Sequence, residues 1–433
     1  MKRKAFYADY IYYEGELHKD KYLLVTGDKI HGIVNHADEE GASGYEVEYF
    51  HNSAIFPGLV NTHTHLPMTL FRGMADDLAL MDWLQNHIWP AETKWLSEEF
   101  VLNATELAAI EMIKSGTTTS CDMYFISDII ASSIAKAGMK AVIGAGILDF
   151  PTKFGKGPDD YIAKAADLYL KYQDNKLIDI SLCPHAPYTV SPDTYIKCVE
   201  FCGKHDILLH THLAEASNER PDAIEKYGKS TVQIMDEVGA FDLDKSIFAH
   251  CVHLTDDEID LMGKKKVNVA LNIQSNMKLA NGFAPAQKML DAGVNLTIGT
   301  DGAASNNDLD MISEMQTQAL VHKGVQMDAT AFPAETVLKM GTVNGANGLG
   351  IRKTGELKRG NLADFIVVSY DAPHMTPVYD PISHLIYSAK STDVTHTYVN
   401  GQCLMKDRKV LTLDEEQVKE DARRWAQKIK ENK

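Results

Sequence analysis

Eight short runs of apolar and β-branched residues recur along the middle of the chain, and longer segments with helical features separate them. The runs lie at residues 57–65, 117–119, 141–148, 178–182, 207–210, 247–249, 267–271 and 294–298. Strand–helix units of this number and length predict an α/β fold, a (β/α)8 TIM barrel, with functional residues at the C-terminal strand ends. The alternative is a doubly wound open sheet. It is disfavoured because no glycine-rich phosphate-binding turn follows the first run.

The segments between the runs carry signals for helix starts and ends. The spacing predicts a helix over Glu98–Ser115 that ends at Gly116. Another helix is expected to begin at Ser191-Pro192, and a third at the capping-box pattern of Thr255–Glu258. These signals support the alternation of strands and helices.

Both ends of the chain look different from the middle, because short β-like runs alternate there with turns. Residues 21–25 and 29–34 predict a hairpin, and Asn400-Gly401 predicts a tight turn near the C-terminus. We therefore predict a small composite β-sandwich domain from residues 1–56 plus 355–410, with the barrel at 57–354. Residues 411–433 are predicted to form a C-terminal helix, whose start at Thr412–Glu415 has capping-box spacing.

Composition and charge limit the classes of function. The 433 residues are 45% hydrophobic and 24% charged, which is typical of a soluble globular protein. The formal net charge of −17 opposes binding to nucleic acid or an anionic membrane, so a small-molecule substrate is expected. No segment approaches the roughly 18 uninterrupted apolar residues of a membrane helix, and the basic residues 1–4 precede no apolar signal core. We expect a cytoplasmic protein and leave open whether it is a homo-oligomer.

The cysteines suggest a reducing compartment. All six are scattered along the chain without a paired framework, which is typical of reduced thiols. Cys198 and Cys202 are four residues apart on a predicted helix, but no Cys-x-x-Cys pair accompanies them. We interpret them as packing residues.

Histidines and a carboxylate stand at the ends of several predicted strands. His63 and His65 end the first strand, and both imidazoles can reach one ion because alternate strand residues share a face. His212 ends the fifth strand, and Asp301 follows the eighth. We expect these four residues to be metal ligands. Three imidazoles and a carboxylate suit Zn²⁺, one per chain, with Fe²⁺ or Mn²⁺ as alternatives.

Other polar residues near these strand ends are interpreted from their positions. His210 alternates inward with His212 but lies one pleat deeper, as expected for a core histidine that supports the site. Glu215 brings a carboxylate to the barrel mouth three residues after His212. His250 ends the sixth strand and is preferred as a site residue to His253, which falls past the strand end.

Five stretches of the sequence resemble a known family. PGLVNTHTH (57–65), AHCVH (249–253) and GTDGAASN (299–306) resemble the amidohydrolase superfamily, in its branch of single-metal aminohydrolases. WLQNHIWPAE (83–92) and PHAPYT (184–189) are similar to the methylthioadenosine/S-adenosylhomocysteine deaminases, a group related to the triazine chlorohydrolases. The likeness covers nearly the whole chain. It implies a zinc-dependent hydrolytic deaminase of 5′-methylthioadenosine, S-adenosylhomocysteine or adenosine, with a triazine- or guanine-type aminohydrolase or chlorohydrolase as the alternative.

The residue types suit such a hydrolysis. Coordination to Zn²⁺ lowers the pKa of water to about 7, so hydroxide is available at neutral pH. Glu215 would deliver a proton to the ring nitrogen beside the attacked carbon as a general acid/base. Asp301 would pass the hydroxide proton to the departing ammonia, while His250 orients the water and stabilises developing charge. The resemblance implies the same three roles.

The resemblance also implies which residues hold the nucleoside. By similarity to the family, Glu92 and His185 hydrogen-bond the substrate. We expect Trp83 and Trp89 to pack against it. Binuclear relatives place a modified bridging lysine at the position of His185, so the histidine supports a single ion.

One residue of the family pattern is missing. An arginine that binds the carboxylate of S-adenosylhomocysteine should follow the third strand, but residues 142–150 contain none. Lys153 or Lys156 offers only a point charge in its place, without the bidentate geometry of arginine. S-adenosylhomocysteine is therefore a weaker candidate than methylthioadenosine or adenosine.

Overall fold

The computed structural model describes residues 2–35 and 44–432, which form two sheets of eight strands each. In chain order the strands are β1 (Arg3–Tyr13), β2 (Glu16–Thr26), β3 (Lys29–Val34), β4 (Glu46–Pro57), β5 (Leu59–Thr64), β6 (Thr117–Tyr124), β7 (Lys140–Ile147), β8 (Ile178–Pro184), β9 (Leu208–Leu213), β10 (Ser246–His250), β11 (Asn268–Leu271), β12 (Asn295–Ile298), β13 (Phe365–Ser369), β14 (Val394–Val399), β15 (Gln402–Lys406) and β16 (Lys409–Val410). The two sheets separate by sequence. Strands β5–β12 form one, and the strands from the two ends of the chain form the other.

Strands β5–β12 form a parallel barrel in which each strand pairs with the next in sequence. The circle closes just past β12, where the Asp301 N–H donates to the His63 carbonyl at 2.9 Å. Thr64 and Asp301 also form an isolated parallel bridge. The predicted TIM barrel is confirmed, and each of the eight predicted runs overlaps one of its strands.

Helices alternate with the barrel strands. They are α1 (Leu80–Asp82), α2 (Trp89–Trp95), α3 (Glu98–Ser115), α4 (Ser127–Ala137), α5 (Pro158–Tyr172), α6 (Pro192–His205), α7 (Glu219–Tyr227), α8 (Thr231–Glu237), α9 (Asp256–Lys264), α10 (Ile273–Lys278), α11 (Ala286–Asp291), α12 (Met311–Gln326), α13 (Ala334–Met340), α14 (Val343–Gly348), α15 (Pro381–Tyr387) and α16 (Glu415–Glu431). A π-helical turn (Trp83–Ile88) joins α1 to α2, and 3-10 turns occur at Leu66–Phe71, Ala240–Asp242, Pro373–Met375 and Ser391–Asp393. Within the described ranges, no helix combines the length and apolar character needed to cross a bilayer.

The boundaries of α3 and α9 follow signals that the sequence predicted. Helix α3 begins after Ser97, whose Oγ accepts the Phe100 N–H at 3.2 Å, and it ends at Gly116 in the left-handed conformation. The predicted capping box at Thr255 and Glu258 is present at the start of α9. Local chemistry therefore fixes these ends before any tertiary contact is considered.

The capping box predicted at Thr412–Glu415 is wrong. The N-cap of α16 is Asp414, whose carboxylate accepts the Gln417 N–H at 3.2 Å. The Thr412 hydroxyl donates instead to the Ala137 carbonyl at 2.9 Å. A tertiary hydrogen bond to the barrel uses this side chain, so the helix starts two residues later.

The second sheet combines both ends of the chain in the order β16-β15-β14-β13-β4-β1-β2-β3. It folds over on itself, because Phe6 of β1 packs on Tyr398 of β14 with ring centroids 5.1 Å apart. Three strand spacings in a flat sheet would separate them by about 14 Å. Asn400 and Gly401, both with positive φ, form the predicted tight turn between β14 and β15. The boundaries at 1–56 plus 355–410, 57–354 and 411–433 stay predictions.

The cysteines are all free thiols in the described residues, and five of the six are buried. Cys198 and Cys202 lie on α6 within the main hydrophobic core. The Cys202 thiol lies 3.7 Å from the Leu208 carbonyl. They pack as small residues of this core, as predicted.

Candidate metal centre and active site

Four predicted ligands meet at the mouth of the barrel. His63 and His65 lie at the end of β5, His212 on β9, and Asp301 just after β12. One ligand atom from each lies within 4.8 Å of the others. The Nε2 atoms of His63 and His65 lie 3.3 and 3.1 Å from Asp301 Oδ1, and His212 Nε2 lies 3.3 Å from His65 Nε2. The barrel thus brings together residues that are up to 238 positions apart in the chain.

Two of these imidazoles are oriented by main-chain carbonyls. His65 Nδ1 donates to the Met123 carbonyl at 2.6 Å, and His212 Nδ1 donates to the His185 carbonyl at 2.6 Å. Because a carbonyl oxygen only accepts, each Nδ1 carries the proton. In the neutral imidazole each Nε2 then presents a lone pair to the centre, as a metal ligand must.

The third imidazole, His63, is oriented by another histidine. Its Nδ1 lies 2.8 Å from His210 Nε2, and His210 Nδ1 in turn lies 3.4 Å from the thiol of Cys121. His210 is fully buried beneath the centre, where the sequence placed it as a supporting residue. The chain of contacts leaves His63 Nε2 directed toward Asp301.

The four side chains fit a divalent cation. His63 Nε2 is buried and makes no hydrogen bond within the described part of the chain, which is costly unless another group satisfies it. The second oxygen of Asp301, Oδ2, accepts hydrogen bonds from the hydroxyls of Ser275 and Ser305 at 2.7 and 2.8 Å. Oδ1 is thereby left to face the histidines. Nitrogen and oxygen donors in this number suit an ion such as Zn²⁺.

The backbone around the centre is tightly constrained. His250 and Asp301 both have positive φ, at +76° and +62°, a conformation that non-glycine residues rarely adopt. A Cβ at Gly299 would lie 2.5 Å from the side-chain oxygen of Asn272, so only glycine fits there. Strained residues of this kind cluster at functional sites.

Glu215 and His250 lie beside the centre. Glu215 is 5% exposed, and its Oε2 lies 3.7 Å from His250 Nε2. Its Oε1 accepts a hydrogen bond from Asn281 Nδ2 at 3.0 Å, and His250 Nδ1 lies 2.9 Å from Asn276 Oδ1. Burial raises the pKa of Glu215, which suits a group that carries a proton. The structure brings His250 to this position, whereas His253 does not line the cavity.

A cavity of about 490 Å³ opens from the centre and contains the other predicted substrate contacts. Glu92 on α2 accepts a hydrogen bond from the Tyr124 hydroxyl at 2.6 Å, and burial raises the pKa of Glu92 to about 7. His185 Nδ1 lies 2.8 Å from the Thr189 hydroxyl. Trp83 is buried in the wall of the cavity. Glu92 and the centre thus face one shared space.

The positions of the two lysines differ. Lys153 lines the cavity, but its Nζ donates to the carbonyls of Thr93 and Leu96, both at 2.8 Å. Lys156 does not line the cavity. The ammonium of Lys153 is therefore already engaged by the main chain.

Sequence reasoning missed the residues that orient the others. They carry hydroxyl, amide or carboxylate groups and show no metal-ligand spacing; they are Tyr124, Glu219, Ser275, Asn276, Asn281 and Ser305. Glu219 lies four residues after Glu215, but Glu215 precedes α7, so the spacing alone does not predict their contact. The remaining contacts arise from tertiary structure.

A barrel mouth with three imidazoles and a carboxylate, next to a buried glutamate, defines the class of metal-dependent barrel hydrolases. Comparison with known proteins narrows this class. Residues 54–404 match the amidohydrolase family. The chain belongs to the amidohydrolase family.

Individual relatives resemble the chain over most of its length. A 5-methylthioadenosine/S-adenosylhomocysteine deaminase of Syntrophobacter fumaroxidans is 46% identical, with 87% of this chain and 86% of the relative covered. A 5′-deoxyadenosine deaminase of Methanosarcina barkeri is 44% identical, with 96% and 95% covered. The crystal structure of an adenosine deaminase from Xanthomonas campestris with bound zinc matches with a TM-score of 0.94 at 37% identity, over 98% of both chains. Family and relatives together make the chain a hydrolytic deaminase, and the zinc-bound structure supports a divalent metal.

Proposed function

We propose that the protein is a zinc-dependent deaminase of adenine nucleosides that carry a short, neutral 5′ group, such as 5′-deoxyadenosine or 5′-methylthioadenosine. One observation carries the proposal: a single cavity is lined by His65, His212 and Asp301 of the centre, by the two carboxylates of Glu215 and Glu92, and by mainly apolar side chains. A purine ring, a ribose and an apolar tail need these kinds of contact. The relatives named as deaminases of such nucleosides support it.

In this proposal His63, His65, His212 and Asp301 hold the zinc ion. When bound, the ion would act as a Lewis acid and make a water molecule a better nucleophile near neutral pH. Fe²⁺ and Mn²⁺ are the alternatives. The nitrogen-rich ligand set favours zinc over harder ions such as Mg²⁺.

Side chains of the centre then transfer the protons of the hydrolysis and orient the water. Water replaces the amino group of the adenine ring, and ammonia leaves. Glu215 gives a proton to the ring nitrogen beside the attacked carbon, a role that its raised pKa suits. It takes back the remaining hydroxyl proton of the added water as the bond to ammonia breaks and the carbonyl forms. Asp301 takes a proton from the attacking water and returns it to the departing ammonia. His250, held by Asn276, orients the water and stabilises developing charge.

Other residues bind the nucleoside. One oxygen of Glu92 already accepts the Tyr124 hydroxyl, so the other is free to accept a ribose hydroxyl. His185, whose Nδ1 contacts Thr189, offers Nε2 to the same part of the substrate. Trp83 packs against the ligand as part of the wall.

The tail of the substrate is proposed to be neutral because the far wall of the cavity is mainly apolar. Its side chains include Leu84, Ile88, Phe150 and Phe154. Apart from Glu92, the charged side chain at this end is Lys153, which already donates to two carbonyls. A zwitterionic tail would lose water without gaining partners. S-adenosylhomocysteine should therefore be a poor substrate.

Metal analysis combined with ammonia release tests the proposal. Purified protein should hold about one zinc ion per chain. It should release ammonia from 5′-deoxyadenosine, 5′-methylthioadenosine and adenosine, with kcat/KM for S-adenosylhomocysteine lower by about tenfold or more. Guanine and a chlorinated triazine serve as comparison substrates. Turnover of these alone, or of no adenine nucleoside by the metal-loaded protein, would overturn the proposal.

A further inference from the structure

Glu219 holds the main chain of the segment that carries Glu215. Its Oε2 accepts the Ala214 N–H at 2.9 Å, and its Oε1 accepts the N–H groups of Glu215 and Ala216 at 2.8 and 2.9 Å. The side chain is only 4% exposed. Charge-assisted hydrogen bonds away from water are strong and directional, so this carboxylate fixes three successive peptide groups.

The segment that Glu219 holds has an unusual backbone. Ala214 has a φ of +50°, in the left-handed region. A residue with a Cβ keeps this conformation only where its surroundings determine it strongly. On its other side, the Ala214 carbonyl accepts the N–H groups of Val252 and His253, both at 2.9 Å. The segment is thus tied both to Glu219 and to the loop that follows His250.

Glu219 does not act as an ordinary helix cap. It is the first residue of α7, and capping side chains normally accept N–H groups from the first turn of their own helix. Glu219 reaches back instead to residues 214–216, which precede the helix. The N-cap residue, Asn218, makes no side-chain capping bond. The carboxylate therefore organises the loop of Glu215 rather than the helix.

We propose that Glu219 is a positioning residue that fixes Glu215 for proton transfer. With the main chain held by Glu219 and Oε1 held by Asn281, Glu215 directs Oε2 toward His250 and the cavity. The inference rests on the proposed function, because it takes Glu215 as the proton carrier. Misplacement of a reacting group by an ångström is enough to slow a reaction strongly.

The variant Glu219→Gln tests this role. The amide keeps the size of the side chain, but its nitrogen cannot accept the Ala214 N–H. We expect kcat on the best nucleoside to fall by about tenfold to a hundredfold, with KM within about threefold of wild type. The content of divalent metal should stay the same. Such a split would show that binding survives while the chemical step is impaired.

Glu258→Gln is the matched control. Glu258 is 6% exposed and accepts the Thr255 N–H at 2.8 Å at the start of α9, and it does not line the cavity. It undergoes the same chemical change in a similar environment. Its kcat should stay within about twofold of wild type, since it holds no reacting group. An equal loss of kcat in both variants would mean that Glu219 is merely structural, and would overturn the proposal.

Amide hydrogen exchange provides a readout that does not need turnover. Exchange at residues 214–216 should accelerate in Glu219→Gln and stay unchanged in Glu258→Gln. Unchanged kcat or unchanged protection in Glu219→Gln contradicts the inference. If wild-type protein turns over no adenine nucleoside, the proposed function fails, while exchange still decides whether Glu219 holds the segment. Should Glu219→Gln not fold, Glu219→Asp keeps the charge on a shorter side chain, and the same loss of kcat is expected.

Discussion

The two ends of the cavity are built from different parts of the fold. The four predicted ligands of the centre come from barrel strands or the residues shortly after them, and each has a buried partner that sets its orientation. The far end is built from the α1–α2 region and the loop after β7, with mostly apolar side chains. In the proposed function this difference separates two tasks: the first end would fix the chemistry and the second would select the substrate.

The two ends differ in how strongly the backbone fixes the positions of their side chains. Parallel strand pairing fixes the register of every residue, and a shift by one position would turn each ligand to the opposite face. Loops and short helices over a barrel mouth have no such constraint. Changes at the centre should therefore abolish function, whereas changes at the far end should adjust it by small steps.

The largest expected effect is the loss of one ligand of the centre. His212→Ala should lower the bound divalent metal from about one ion per chain to a small fraction, and kcat/KM should fall by about 10³-fold or more. Metal analysis after gel filtration measures the first, and ammonia release measures the second. His31→Ala, at an exposed histidine on β3, is the control and should change neither. A variant of His212 that keeps both its metal and its activity would remove His212 from the ligand set.

Glu215→Gln should separate metal binding from proton transfer at the same end of the cavity. The amide cannot carry the proton, so kcat should fall by about 10² to 10⁴-fold. Bound metal should stay at the wild-type level, because Glu215 is outside the ligand group. Unchanged turnover of every tested substrate would contradict the role of Glu215 and favour a non-catalytic barrel that has kept its metal.

The contrast between the two ends also explains what the sequence could predict. The barrel and the predicted ligand group could be predicted from the sequence because strand periodicity, histidine spacing and strand-end position are all local patterns. His63 and His65 share a face by alternation alone. The choice of His250 over His253 depended on where β10 ends, which a run of apolar residues marks to within a few positions.

The contacts between orienting side chains and site residues could not be predicted from local sequence patterns. Tyr124 meets Glu92, and Asn281 meets Glu215, only after distant segments pack together. The N-cap of α16 is Asp414 rather than the predicted Thr412 for the same reason, because the Thr412 hydroxyl makes a tertiary hydrogen bond instead of capping the helix. No periodic pattern in a single sequence marks the side chains that orient other side chains.

An intermediate effect is expected at the far end from Tyr124→Phe. The change removes the hydrogen bond to Glu92 and leaves the rest of the cavity wall in place. One hydrogen bond of this kind is worth about 1.5 kcal/mol, so kcat/KM should fall by about tenfold, mostly through KM. Steady-state kinetics on a nucleoside and on its analogue without ribose hydroxyls check the prediction. An equal loss of kcat/KM on both substrates would mean that Glu92 does not bind the ribose hydroxyls.

The smallest expected effect is that of Lys153→Met, which tests the neutral tail directly. The ammonium already donates to the carbonyls of Thr93 and Leu96, so kcat/KM for 5′-deoxyadenosine should stay within about twofold of wild type. Loss of these half-exposed contacts should lower Tm by no more than about 2–4 °C. The ratio of activities on 5′-deoxyadenosine and S-adenosylhomocysteine should also be unchanged. A selective loss of S-adenosylhomocysteine turnover would show that Lys153 binds a carboxylate, and the far end would then be a charged site rather than an apolar one.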